Sequence, residues 1–317
     1  MSSSDITSAV AVDGPLEVLV RIFVTGASGW IGSAVLPELL DAGHQVVGLA
    51  RSDTAAATVR ALGAEALRGD LDDPDSLRAG AAGSDGVVHL AYVHDFSRMA
   101  QAARTDLQAI EALGGVLEGS GRPLVIASGT LGLTAGRVGT ERDSAYPGAH
   151  PRIAGAHAAL AYAERGVRTA VVRFAPTVHG AGDHGFVATL VAIARERGVS
   201  GYIGAGENRW PAVHRLDAAH LVRLAVDGAP AGSVLHAVAE EGVPIRVVAE
   251  AIGRGLGVPV VSVPAERAGD HFGWLAPFLA ADCPAANDLT SELLNWKPTR
   301  QGLVEDLDQG HYFQTSD

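Results

Sequence analysis

Short unbroken hydrophobic runs alternate with longer stretches whose apolar positions recur every three or four residues. The runs at 18–24, 45–50, 64–68, 86–91, 123–128 and 169–174 predict strands. The periodic stretches at 31–41, 54–62, 97–118 and 153–165 predict helices between them, and Asp73 as N-cap with Pro74 at N1 opens another. Gly43 is placed to end the first helix, and Pro37 inside it predicts a lost hydrogen bond or a kink. Such alternation predicts an α/β chain with a parallel sheet covered on both faces.

The texture changes after Pro176. A loop at 178–185 precedes a helix at 186–197, and short strands near Tyr202 and at 233–237 flank a helix at 217–226. From Pro244 onward the pattern predicts helices with one strand, 260–263. The expected organisation is a disordered tail at 1–17 and a nucleotide-binding domain at 18–176, to which 205–237 returns. A smaller substrate lobe is then built from 177–204 and 238–317. The small, polar start, ending Asp13-Gly14-Pro15, lacks the basic opening and apolar centre of a secretory signal.

Between the first strand and the first helix stands Thr25-Gly26-Ala27-Ser28-Gly29-Trp30-Ile31-Gly32. One glycine makes the tight turn, a second lets the backbone approach a diphosphate, and a third lets helix and strand pack closely. The helix N-terminus turns free N–H groups and partial positive charge toward the phosphates. The motif predicts a Rossmann-type doubly wound sheet, with Gly26, Ser28, Gly29, Trp30, Ile31 and Gly32 cradling a dinucleotide.

The 317 residues are 47% hydrophobic and 19% charged, an ordinary globular balance with room for a domain and an elaboration. A net charge of −12 without a basic stripe argues against a nucleic-acid partner. No apolar run reaches the roughly 18 residues of a membrane helix. The lone cysteine, Cys283, excludes an internal disulfide and fits a reducing cytoplasm.

An acid about 20 residues beyond the glycines often binds the adenosine ribose 2′-OH. Here Arg51-Ser52 stands there, nineteen residues after Gly32. Arginine cannot accept the 2′-OH proton, but it pairs with a 2′-phosphate and stacks on adenine. NADP(H) is therefore expected over NAD(H); the alternative leaves Arg51 solvated and gives the sugar to Asp53. Asp70, in Gly69-Asp70-Leu71, is placed to meet the adenine amino group or to serve as a turn aspartate.

With these motifs the chain resembles the short-chain dehydrogenase/reductase superfamily, in particular its extended, epimerase/dehydratase-like branch. The resemblance runs on through Val88-His89-Leu90-Ala91, Ile126-Ala127-Ser128-Gly129-Thr130, Arg173-Phe174-Ala175-Pro176-Thr177-Val178-His179-Gly180 and Val213-His214-Arg215-Leu216-Asp217. It implies further coenzyme contacts at Leu71, Leu90, Ala91, Tyr92, Ser128, Arg152, Ala175, Pro176, Thr177 and Val178. It also implies a homodimer through the helices flanking the fifth strand.

The family's catalytic group joins a Ser or Thr to a Tyr-x-x-x-Lys pair, in which lysine tunes the tyrosine toward neutral pH. No such pair exists here, and the only lysine is Lys297. Counting back from Arg165-Gly166-Val167 puts Arg152 at the lysine position and Gly148 at the tyrosine position; Tyr146 and His150 are nearby. The chain is thereby similar to atypical members that keep the nucleotide site and lose the tetrad.

Three readings follow. Tyr146 is the acid, with Arg152 or His150 as the cation and Thr130 or Ser128 holding the substrate oxygen. A histidine replaces the tyrosine, either His94 beside Asp95, or His179 or His184 on the loop after the sixth strand. Or the protein binds NADP(H) without redox chemistry, as an isomerase, cyclase, lyase or sensor. No ligand spacing supports a metal among His94, Asp95, His179, Asp183 and His184. The aromatic-rich segment 271–278 is placed to line an apolar pocket or to pack as core. Arg209 stands where sugar-nucleotide members carry a diphosphate-binding arginine. The expectation is a cytoplasmic NADP(H)-dependent carbonyl reductase or alcohol dehydrogenase for a small to medium, partly apolar substrate.

Overall fold

The computed structural model describes residues 20–93, 98–134, 136–144 and 152–314. The first half alternates β1 (Arg21–Thr25), α1 (Gly32–Asp41), β2 (Gln45–Ala50), α2 (Asp53–Ala61), β3 (Glu65–Arg68), α3 (Pro74–Ala82), β4 (Gly86–His89), α4 (Met99–Leu117), β5 (Pro123–Gly129), α5 (Ile153–Ala161) and β6 (Arg168–Phe174). Local chemistry sets these boundaries. Asp73 caps α3 by accepting from the N–H groups of Asp75 and Ser76, with Pro74 in the first turn. Ser52 caps α2 by accepting from Ala55 N–H. Helix α1 runs through Pro37 to Asp41, and Gly43 follows with φ 88°.

The second half holds β7 (Thr177–His179), α6 (Phe186–Arg197), β8 (Ser200–Ile203), β9 (Arg209–His214), α7 (Arg215–Gly228), β10 (Ser233–Ala237), β11 (Glu240–Pro244), α8 (Ile245–Leu256) and β12 (Val260–Val263). Short helices α9 (Ala268–Phe272), α10 (Ala276–Leu279), α11 (Asp288–Leu294) and α12 (Leu303–Asp308) close the chain. The expected loop at 178–185 thus begins inside a strand. Strands β9 and β11 also escape the hydrophobic pattern, since each carries a proline and neither alternates apolar with polar residues.

The main sheet has seven strands in the order β3-β2-β1-β4-β5-β6-β10, and every pairing in it is parallel. The strand order reverses between β1 and β4, the arrangement of a Rossmann-type doubly wound fold. Both faces are buried. Ile22 and Val24 enter one layer with Val35, Leu39, Leu221 and Trp296, while Phe23 enters the other with Leu77, Ile110 and Leu113. A third apolar cluster, including Leu190, Trp210, Ile252, Phe272 and Leu307, draws its buried members from residue 187 onward.

Within 205–237, β10 joins the main sheet beside β6, but β9 does not. It forms a small separate sheet, parallel to β7 and antiparallel to β11. Asp217, at the start of α7, accepts from the backbone N–H groups of Thr299 (3.0 Å) and Arg300 (2.9 Å), and its carbonyl accepts from Trp296 Nε1. Asp217 therefore fastens the C-terminal chain to the start of α7. Among the described residues, no helix is long and apolar enough to cross a membrane.

Candidate functional site

Because the sheet is parallel, the segments after β1 to β6 leave from one edge. Read across that edge, Arg68, Arg51, the glycine loop, 90–92, 128–130 and 175–178 follow one another over about 24 Å at ordinary strand spacing. A chain-order scatter becomes a continuous rim.

At its centre Gly26 has φ 68°, and a Cβ there would lie 2.7 Å from Ala91 N. A Cβ on Gly32 would lie 2.1 Å from Gly26 O, so the helix can start against the loop only without a side chain. Gly29 differs: an added Cβ would meet Gly26 O and C and nothing else within 4 Å, and both Ser28 and Gly29 are exposed. Helix α1 starts after Ile31 with no side-chain cap and no acidic residue in its first turn. Open space before an uncapped helix end fits a diphosphate. The Trp30 ring turns away, donating Nε1–H to Val178 O (2.8 Å), with the Arg215 guanidinium 4.3 Å above it.

At the β2–β3 end, Arg51 is exposed and has no hydrogen-bond or ionic partner among the described residues. Ser52 is engaged as the α2 cap, and Asp53 pairs with Arg68 at 3.2 Å. Asp70 accepts from Asp72 N–H in its own turn through Oδ1, and Leu71 is half-buried. Arg68 was not singled out from sequence. A charged residue ending an edge strand reads as solvated until the sheet order sets it beside Arg51.

At the other end, Leu90, Ala91 and Tyr92 are half-buried on leaving β4. The Arg152 guanidinium, at the start of α5, lies 4.1 Å over the Tyr92 ring. Burial pushes the Tyr92 phenol up, and the nearby guanidinium opposes that; burial pulls Arg152 down. Ser128 is half-buried on β5. Thr130 is 1% exposed, tied to β6 by its N–H to Phe174 O, and its Oγ1 has no hydrogen-bond partner among the described residues. Ala175 and Thr177 are buried, Pro176 and Val178 half-buried, and Thr177 Oγ1 donates to Pro211 O. His94, Asp95, Tyr146, Gly148 and His150 lie outside the described residues.

His179 is fully buried and bonded through Nδ1 to Asp306 (2.9 Å). His184 sits edge-on to Trp30, and Asp183 accepts from Tyr312 Oη (3.0 Å); burial raises the Asp183 carboxyl. No group of three metal-ligating side chains occurs among the described residues. Leu131, directly after Thr130, packs on the lobe cluster. There Phe186 meets Trp210, Trp274 and Phe278 at 5.4–6.0 Å, and Trp274 is 48% exposed. Segment 271–278 thus divides between core, at Phe272 and Leu275, and an aromatic surface. Arg209 donates from two of its guanidinium nitrogens, Nε and Nη2, to Asp282, at 3.1 and 3.0 Å, which keeps the Asp282 carboxyl low.

Residues 22–236 match the NAD dependent epimerase/dehydratase family. The chain is 50% identical to an uncharacterized protein of Schizosaccharomyces pombe over 92% of this chain and 100% of that one. It is 29% identical to the 4-hydroxy-2-methyl-3-oxo-4-farnesyl-3,4-dihydroquinoline-1-oxide ketoreductase of Stigmatella aurantiaca, over 84% of each. A solved dTDP-glucose 4,6-dehydratase double mutant of Streptomyces venezuelae, with NAD bound, shares the fold at TM-score 0.74 and 20% identity, over 92% of this chain and 95% of that one.

Proposed function

The chain belongs to the NAD dependent epimerase/dehydratase family, and from that premise we propose that it is an NADP(H)-dependent carbonyl reductase for a small to medium, partly apolar substrate. The glycine loop and the open start of α1 suit a diphosphate, and Arg51 with Arg68 suits a 2′-phosphate. When bound, the coenzyme supplies or accepts hydride at its nicotinamide.

The reductase reading rests on Thr130. A buried hydroxyl without a partner is costly unless something completes its bonding. Uncovering this side chain, 1% exposed as it stands, lets a carbonyl oxygen do so, and Leu131, next along, packs on the apolar cluster of the lobe. Thr130, helped by Ser128, orients the oxygen; Arg152 serves the nicotinamide ribose in place of lysine. Tyr146, or failing it His94 or a water, gives the proton. Arg209 is already neutralised by Asp282, which disfavours a nucleotide-sugar diphosphate there. The ketoreductase named for Stigmatella aurantiaca supports a ketone substrate.

The absence of a Tyr-x-x-x-Lys pair favours a second reading, coenzyme binding without redox turnover. Following the reduced-nicotinamide absorbance of NADPH with a panel of aryl and alkyl ketones and aldehydes separates the two. Carbonyl-dependent oxidation is expected; tight binding with no turnover on any of them would favour the second.

A further inference from the structure

Beneath the rim runs a polar chain that the assigned chemistry does not use. Ala91 N–H donates to Thr25 Oγ1 (3.3 Å), and the same oxygen lies 2.8 Å from His89 Nδ1. A carboxylate can only accept, so the Nε2 that faces Asp106 carries a hydrogen, and Nδ1 then accepts from the threonine hydroxyl. Nε2 faces Asp106 Oδ1 at 3.3 Å. The other carboxylate oxygen, Oδ2, faces Arg152 Nε at 3.9 Å. Thr25, His89 and Asp106 are 0%, 0% and 2% exposed.

A carboxylate buried this deeply in α4 is costly unless it is paired, and the fold makes room for it. A Cβ on Gly155, in α5, would come within 2.9 Å of Asp106 Oδ2. Asp106 gives Arg152 a counter-charge within reach. Guanidinium keeps its charge at all accessible pH, and this side chain is only 16% exposed. Helix α4 thus presents the counter-charge, β4 fixes its orientation through His89, and α5 carries both the cation and the gap.

We propose that Asp106 is the positioning residue for Arg152: anchored by His89, its carboxylate holds the guanidinium over Tyr92 at the coenzyme rim. This rests on the reading that Arg152 meets the coenzyme. Asp106 itself touches neither coenzyme nor substrate. A side chain that replaces lysine must be aimed by a neighbour, because its long stem has several rotamers and its charge cannot be switched off.

The test titrates NADPH into the full chain, following its fluorescence intensity and emission maximum, with a thermal melt for each variant. Asp106→Asn keeps the shape and the acceptor for His89 and removes the charge facing Arg152. Its NADPH affinity should fall about tenfold, with the emission shifted toward that of Arg152→Ala. In an Arg152→Ala background it should cost no further affinity. Gly155→Ala keeps every charge and displaces the carboxylate, so it should weaken NADPH in a chain that still folds. A merely structural Asp106 would change the melt equally in both backgrounds and leave affinity and emission alone. Wild-type affinity and emission in Asp106→Asn and Gly155→Ala, or equal losses with and without Arg152, overturn the proposal. A wild-type chain that binds neither NADPH nor NADH overturns the coenzyme reading itself.

Discussion

Arg51 and Arg68 end two hydrogen-bonded neighbours: Arg68 is in register with Ala50, the residue directly before Arg51. Two guanidinium groups therefore border one end of the rim, and Asp53, itself exposed, is paired with Arg68. Arg51→Ala should weaken NADPH by roughly 1.5–3 kcal/mol, the value of a hydrogen bond to a charged group, and leave NADH nearly unchanged. Arg68→Ala should give a smaller loss of the same kind. Paired titrations with the two coenzymes check both; equal losses for each would remove the 2′-phosphate role.

Gly32→Ala puts a methyl 2.1 Å from Gly26 O. That contact is with backbone, so the loop must move. Overpacking of this kind costs about 3 kcal/mol or more and also shifts the N–H groups meant for the diphosphate. Thermal melts should show a lower midpoint, and NADPH affinity should fall with it. An unchanged melt would mean that the loop is looser than its geometry states.

Thr130→Val removes a buried hydroxyl at nearly constant volume. If Thr130 orients the substrate oxygen, kcat should fall on the order of a hundredfold while NADPH affinity stays level. Stability should hold or rise slightly, since an unpartnered polar atom leaves the interior. Unchanged kcat would exclude the role.

His214 is nearly buried, and its pKa is lowered by burial and by the neighbouring His179. His236 is lowered by burial as well. A lowered folded pKa means that the unfolded chain takes up protons first as pH falls below about 6.5, so stability drops with acidification, by at most about 1.4 kcal/mol per pH unit per group. Melting temperature should fall between pH 7.5 and 5.5. His214 Nδ1 accepts from Leu216 N–H at the start of α7. His214→Asn keeps that cap without titrating and should flatten part of the slope. An identical slope would assign it elsewhere.

Trp274→Ala should raise KM for aryl ketones several-fold through lost apolar contact and leave NADPH affinity alone. Steady-state kinetics with each substrate varied in turn will show it; a change in coenzyme affinity instead would place Trp274 outside the substrate surface.

Much of this fold was legible in the chain. Strand β2, helix α6 and strand β12 begin and end where the hydrophobic pattern put them. There, glycines and polar residues bound one clear period. The small sheet of β7, β9 and β11 was not legible, because its strands are short, two contain proline, and their pairing partners are distant in sequence. At the site, the glycine loop announces itself by spacing. Arg68 needs the strand order to gain meaning. Asp106 looks like any polar position of a long helix until β4 sets His89 against it and α5 brings Arg152 alongside. Local periodicity cannot display a contact made by three separate elements.

Calorimetric titration of the 317-residue chain with NADPH and, separately, NADH addresses the central claim most directly. The account predicts saturable binding of NADPH, at least tenfold tighter than NADH, with the difference abolished by Arg51→Ala. Preference for NADH, or no heat with either coenzyme, would contradict it.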